Sequence, residues 1–377
     1  MYRGPSGADT RCVSVPHHDT APEFSLPSLD LRLVARRAAL PLALAVAVVA
    51  VLLLAGGRLG VFADAFDRVM SADPSWVAVA AVAELLSFGG YIALFWLVGH
   101  RATPRLGLRA SAEITFAGAA ATRLLPTAGA GGAAMTLWAI ARTGLGARRG
   151  GHVLLTFLTL LYSVFLAGIA LSGAAIALGL GGDAGHALVA GAASLAATAA
   201  IATGIVLGRR GAPPVPPVGR VRSGAALLGG AVRDAVSLVR GGDARLLGGP
   251  AWWAFDAAVL WAAFHALGQP PAIPILVFAY FAGQVGNTIP LPGAVSGGMV
   301  GTLLAFGVAP DLAISAVFTY RTVAIWCPAP FGLAALGALK ARVGRWDRDE
   351  ADAPSPSPAR QAMRLTPKVA YSGSTAA

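Results

Sequence analysis

The sequence predicts an all-α polytopic membrane protein: about six full transmembrane helices plus two re-entrant broken helical hairpins arranged as an inverted repeat. Three observations predict it. Hydrophobic residues make up 56% of the 377 residues and charged residues only 12%, with a mean hydropathy of +0.67. That leaves too little polar surface for a soluble globule of this size. Apolar runs long enough to cross a bilayer recur along the chain, and two further apolar regions are interrupted by proline and glycine in matching order.

A hydrocarbon core of about 30 Å needs roughly 20 helical residues. Residues 38–56, 75–99, 152–180, 187–208, 250–268 and 312–339 meet that length. The first of these follows Arg36 and Arg37 and a long polar leader, so it is expected to be a retained signal anchor rather than a cleaved signal sequence.

Two apolar regions remain, 111–143 and 272–309. The first reads Phe116-Ala117-Gly118, then Leu125-Pro126, then Gly131-Gly132. The second reads Phe281-Ala282-Gly283, then Leu291-Pro292, then Gly297-Gly298. The shared order is an internal repeat with one residue inserted. Residues 111–123 reach only about 20 Å at 1.5 Å per residue, so a helix entering there stops short of the far side and turns back. The second unit is longer before its break, and a pair of crossing helices or a hairpin would equally return the chain to its starting side.

Charge sets the expected orientation. With the N-terminus inside, Lys and Arg collect on the cytoplasmic side: five in the leader, three in 100–110, three in 142–151, seven in 209–248 and seven in the C-terminal tail. Arg58 and Arg68 fall outside, in a loop shared with Asp64, Asp67 and Asp73. Both termini are then cytoplasmic, in a cell inner (plasma) membrane, and the two hairpins enter from opposite sides. The domain reading is a cytoplasmic leader over 1–35, a transmembrane domain over 36–340, and a cytoplasmic tail over 341–377. Leader and tail are rich in proline, serine and charge and are expected to be disordered. Within the domain, 209–248 holds a basic proline-rich linker and an amphipathic helix over 224–240. Leu228, Val232, Ala235 and Val239 on one face of that helix are expected to rest on the inner leaflet.

The net charge of +11 does not indicate nucleic acid, because the basic residues sit between apolar spans. Cys12 and Cys327 offer neither metal spacing nor a disulfide framework. There is no metal motif, nucleophile triad or phosphate loop. The expectation is a non-enzyme without cofactor, metal or nucleotide.

The stretches "IPLPGAVSGGMVGTLLAFGV", "YRTVAIWCPAPFGL", "WWAFDAAVLWAAFHALG" and "RLLPTAGAGGAA" resemble the lysylphosphatidylglycerol synthase transmembrane-region family. This is the flippase-like domain of bacterial multiple-peptide-resistance proteins, found also as stand-alone proteins. The resemblance covers about residues 36–340. Its most specific element is Pro-x-Pro-Gly followed downstream by Tyr-Arg, here Pro290, Pro292, Gly293, Tyr320 and Arg321. It implies a protein that moves or binds lipids with polar head groups. Members commonly carry a Glu after the glycines of the broken segments; here those places read Gly132-Ala133-Ala134 and Gly298-Met299, and the soluble aminoacyl-transferase domain is not expected.

Ionisable residues inside a span are functional candidates by default. Arg123 adjoins the first break and Arg321 sits in mid-span after the second, so both are candidates to hold a lipid phosphate through bidentate hydrogen bonds. Pro126, Gly131, Gly132, Asn287, Pro290, Pro292, Gly293 and Tyr320 complete the candidate lipid-binding set, with Glu84 and Asp256 as possible charge partners. Gln284 and His265 are neutral polar groups in spans. Glu113 reads as a solvated helix-start residue, and Trp76, Trp252, Trp253 and Trp346 as an interfacial belt. The expected function is translocation or binding of an anionic or polar-headed phospholipid. The alternatives are an ion-coupled transporter of a small solute, with Glu84 as ion carboxylate, and, below that, a membrane-embedded lipid-modifying enzyme.

Overall fold

The computed structural model describes residues 67–124, 130–181, 186–209, 220–288 and 293–352, without the side chains of 123, 124, 130, 147, 220–222 and 350. Helices fill them in the order α1 (Pro74–Ala102), α2 (Leu108–Leu124), α3 (Ala130–Ala141), α4 (Ala147–Ala177), α5 (Ala187–Arg209) and α6 (Arg220–Arg240). There follow α7 (Gly248–Leu267), α8 (Ile273–Val285), α9 (Ala294–Ala305), α10 (Pro310–Trp326) and α11 (Ala329–Ala351). The expected span 38–56 lies outside the described residues, as do the leader and most of the tail.

Local chemistry fixes the helix starts. Asp73 caps α1 by accepting from the Ser75 amide at 2.9 Å and its hydroxyl at 2.7 Å, and Pro74 follows at the first position, where a missing N–H costs nothing. Pro310 likewise stands at the first position of α10, with Asp311 in its first turn and no side-chain cap before it.

Four helical stretches among the described residues are long and apolar enough to cross a membrane: Pro74–Ala102, Arg148–Ala177, Ala187–Arg209 and Pro310–Asp349. The last differs from the single expected span 312–339. Pro328 has no N–H to give, so the helix is interrupted at Cys327-Pro328 and restarts as α11, which packs along α2. The expected span 250–268 is α7, with most of its length buried.

The core forms around α1, α7 and α10, with α4 and α8 against them. Its largest contact is between α1 and α7, which run antiparallel. Asp73 at the start of α1 donates its amide to Ala266 near the end of α7, at 2.9 Å. Further along α1, Ser87 donates its hydroxyl to the Trp252 carbonyl at 3.1 Å. A Cβ on Gly90 would lie 2.7 Å from the Gly248 oxygen, so glycine is what allows this crossing.

The helix expected on the inner leaflet forms as α6, but its apolar face is used inside the protein. Ala231, Val232, Ala235 and Leu238 are buried where α6 meets α4 and α5, while Leu228 and Val239 are exposed. A Cβ at Gly208 of α5 would stand 2.6 Å from Val232 Cγ1. His152 on α4 lies 2.7 Å from Asp234 on α6.

Candidate functional site

The two broken regions form two helix pairs, α2 with α3 and α8 with α9. None of the four helices reaches the roughly 20 residues of a full crossing: they have 17, 12, 13 and 12 residues. The uncertain second unit thereby proves as short-legged as the first, because α8 ends at Val285 in a tight turn over Gly286–Thr288.

Each pair is sealed at equivalent places of the sequence repeat. In the first, a Cβ on Gly132 would lie 2.8 Å from the Gly118 oxygen. In the second, a Cβ on Gly283 would lie 3.0 Å from the Val295 oxygen, and one on Gly298 would lie 3.1 Å from Gly283 Cα. The following threonines repeat too: Thr136 donates to the Gly132 carbonyl at 2.9 Å and Thr302 to the Gly298 carbonyl at 2.8 Å. Phe116 and Phe281, which open the two motifs, each meet a glycine helix. Phe116 packs where Gly332 of α11 approaches, with a Cβ there 3.1 Å from the Phe116 oxygen; Phe281 lies against Gly168 of α4. Gly293 starts α9 with φ +81, a left-handed conformation that glycine adopts without strain.

A buried polar network sits beside the second pair. Asp256 on α7 accepts hydrogen bonds at one carboxylate oxygen from the Tyr280 hydroxyl, from the Tyr320 hydroxyl at 3.1 Å and from Gln284 Nε2 at 3.3 Å. Gln284 Nε2 also reaches the Tyr320 oxygen at 3.2 Å, and its Oε1 accepts from Asn287 Nδ2 at 2.6 Å. Tyr280 and Gln284 are one turn apart on α8, and Asn287 follows on the same side. The chain of bonds therefore runs from a carboxylate inside the bundle to the exposed Asn287 side chain at the end of the α8 segment. Glu84 is carried by α1, which packs along α7, and Arg321 follows Tyr320 directly on α10. Asp256, Glu84, Tyr280 and Tyr320 are all buried, at 7%, 2%, 0% and 1% exposure.

Of the residues expected at the site, the structure thus joins Asp256, Asn287 and Tyr320 in one network, with Glu84 buried on α1 and Arg321 adjoining Tyr320 in α10. Arg321 is half-buried on α10. Gly131 and Gly132 lie at the start of α3, with Gly131 buried. Arg123 is in the last turn of α2, but its side chain, together with Pro126, Pro290 and Pro292, is outside the described residues. The polar cavity expected between the two turns falls there as well. A pocket of about 320 Å³ opens elsewhere, at the base of the second pair, lined by Gln269, Pro270, Ile275, Phe306 and Leu312.

Sequence reasoning missed Tyr280, the closest partner of Asp256. The available signal was its spacing: Tyr280 and Gln284 put two polar groups on one face of an otherwise apolar helix. Two further expectations change. Glu113 is not a freely solvated helix start: its carboxylate accepts from Arg342 Nε at 2.5 Å and Nη2 at 2.6 Å, clamping α2 to α11. Trp253 and Trp346 are buried rather than interfacial, and Trp253 donates to the Leu161 carbonyl at 2.8 Å. Trp76 and Trp252 remain half-buried. His265 stacks on Trp76, with ring centroids 4.4 Å apart.

An all-helical bundle with long apolar helices, two short broken helix pairs and a polar network buried beside one of them defines a multi-pass membrane protein. The chain belongs to the lysylphosphatidylglycerol synthase TM region family, which it matches over residues 39–332. No curated protein matches it.

Proposed function

We propose that this protein binds an anionic or polar-headed phospholipid and passes it across the membrane between the two broken helix pairs. The observation that carries the reading is the hydrogen-bonded chain Asp256–Gln284–Asn287 leading towards residues 289–292, with Tyr320 bonded to the same carboxylate and Arg321 next to it on α10. Unwound backbone in a bilayer must be covered by protein or wetted, since each bare amide in hydrocarbon costs several kcal/mol. The ends of the half-helices α2, α3, α8 and α9 offer partial charges to a head group without adding ionised side chains. Arg321 and Arg123 supply planar donor forks matched to a phosphate. Antiparallel α1 and α7, each preceding one broken pair, support an inverted repeat, with both termini and the 209–248 segment cytoplasmic and the two pairs entering from opposite faces. Family membership supports a phospholipid as cargo. No reaction chemistry is assigned, and the protein is read as a non-enzyme.

A mass-spectrometric inventory of lipids retained by the purified protein tests the binding half of this reading. Anionic phospholipid should be enriched over the host membrane, and Arg321→Ala should remove most of that enrichment. Retention that mirrors the bulk membrane in both proteins would overturn it and favour the ion-coupled solute transporter.

A further inference from the structure

The hydrogen bonds around Gln284 have a fixed direction. Oδ2 of Asp256 receives the hydroxyl hydrogens of Tyr280 and Tyr320, so neither phenol has a hydrogen left for the glutamine. On that side Gln284 meets acceptors, the Asp256 oxygen at 3.3 Å and the Tyr320 oxygen at 3.2 Å, and it must present Nε2 to them. Its Oε1 is thereby turned to Asn287, which answers with an Nδ2 hydrogen at 2.6 Å. Turning either amide over would set oxygen against oxygen. The relay therefore ends on the exposed side with the Asn287 carbonyl oxygen, an acceptor, and one remaining N–H beside it. Each donation toward the carboxyl draws electron density onto the next carbonyl, so the relay strengthens that acceptor and weakens the N–H.

The rest of the turn has the same sign. Thr288, also exposed, gives its hydroxyl hydrogen to the Val285 carbonyl at 2.8 Å, so toward a ligand its oxygen only accepts. The helix α8 ends at Val285, which brings the negative end of its dipole to this turn. Gly286 seats the turn on α9: a Cβ there would lie 2.7 Å from the Val295 amide nitrogen, so Asn287 and Thr288 stand on closely packed backbone. Such a turn is matched to a group that brings hydrogen-bond donors, a hydroxyl or an ammonium. It is mismatched to bare phosphate oxygens, which are acceptors themselves.

We propose that Asn287 and Thr288 select lipids whose head group carries a hydrogen-bond donor, a hydroxyl or an ammonium. Gln284 is the positioning residue: bonded to Asp256 and Tyr320, it fixes which end of the Asn287 amide is presented. The lipid itself rests on the reading under Proposed function, to which this adds the head-group chemistry recognised at the turn. Phosphate is common to all phospholipids, whereas the donor beyond it distinguishes one head group from another. A hydrogen bond lost with its donor changes retention by about two- to tenfold.

The test offers the full chain, purified in detergent, two lipid pairs matched in charge. Phosphatidylglycerol and phosphatidylmethanol are both anionic, and only the first has head-group hydroxyls. Phosphatidylethanolamine and phosphatidylcholine are both zwitterionic, and only the first has N–H donors. Each pair is supplied in equal amounts, and the lipids that stay with the protein are counted by mass spectrometry. The donor-bearing member should be retained about two- to tenfold over its partner, in the glycerol pair if a hydroxyl is read and in the ethanolamine pair if an ammonium is read. Asn287→Ala, Thr288→Val and Gln284→Leu should each move that ratio toward one. Because the ratio compares two lipids on the same protein, a general loss of stability does not change it, and Thr288→Val keeps the test open if another variant fails to fold. Ratios near one for both pairs in the unmutated protein would overturn the selection while leaving lipid binding in place. A preference that survives unchanged in Asn287→Ala and Thr288→Val would overturn the assignment to this turn. Retention of none of the four lipids would overturn the reading under Proposed function, and the selection with it.

Discussion

Gly118 of α2 and Gly132 of α3 meet backbone to backbone: a Cβ on Gly132 would stand 2.8 Å from the Gly118 carbonyl oxygen. Gly283 repeats the relationship with Val295 in the second pair. Backbone yields less readily than a flexible side chain, so Gly132→Val and Gly283→Val should each destabilise the protein by about 1–3 kcal/mol through overpacking. Gly297, where an added Cβ meets nothing within 4 Å, is the control. Gly297→Ala should leave stability within about 1 kcal/mol or raise it slightly, as read by thermal unfolding in detergent. Equal losses at Gly132 and Gly297 would remove the argument for sealed helix pairs.

Tyr280 and Tyr320 donate to the same oxygen of Asp256. Removing either hydroxyl takes a donor from a buried carboxylate, and Tyr280→Phe or Tyr320→Phe should each cost about 1.5–3 kcal/mol. Because the two share an acceptor, the double variant should depart from additivity by about 0.5–3 kcal/mol in an unfolding cycle. Strict additivity would mean that the hydroxyls act separately.

The Glu113–Arg342 pair is bidentate and only 19% and 21% exposed at its side chains. Arg342→Lys keeps the charge but loses the fork, and should lower stability by about 1 kcal/mol. As a clamp between α2 and α11, the pair should matter to folding and not to head-group binding. Lipid retention per folded molecule should therefore be unchanged in Arg342→Lys, a result that a role in the lipid path would contradict.

Much of this architecture is legible in the sequence because it follows from length and breaks. Apolar runs announce α1, α4, α5 and α7, and Phe-Ala-Gly with Gly-Gly marks both helix pairs. Tyr320, Arg321, Asn287, Glu84 and Asp256 stand out because polar groups are costly in spans. Partners are less legible. Tyr280 reads as one more aromatic in an apolar run, and its link to Asp256 joins different helices, which periodicity cannot pair. The α6 stripe shows that a face is apolar without saying whether lipid or helix covers it; Val232 is covered by α5, where Gly208 makes room. Glu113 reads as solvated until Arg342, far along the chain, is placed beside it.

Topology gives a further prediction. In a cysteine-free background, an impermeant thiol reagent on intact cells should label single cysteines placed at 57–74 and 181–186, and should not label one placed at Ser223. Labelling at Ser223 would contradict the opposed entry of the two helix pairs.

Transbilayer movement in liposomes tests the central claim most directly. Purified protein should accelerate flip of an anionic phospholipid without ATP. Arg123→Ala and Arg321→Ala should slow it far more than Glu113→Ala, and Arg123→Lys should fall between, since it retains charge without the planar fork. A phosphate crossing hydrocarbon unpaired is costly, and a waiting guanidinium lowers that barrier. If folded protein leaves anionic, zwitterionic and cationic phospholipids all at the protein-free rate, under imposed proton and sodium gradients as well, the protein is not a lipid translocase.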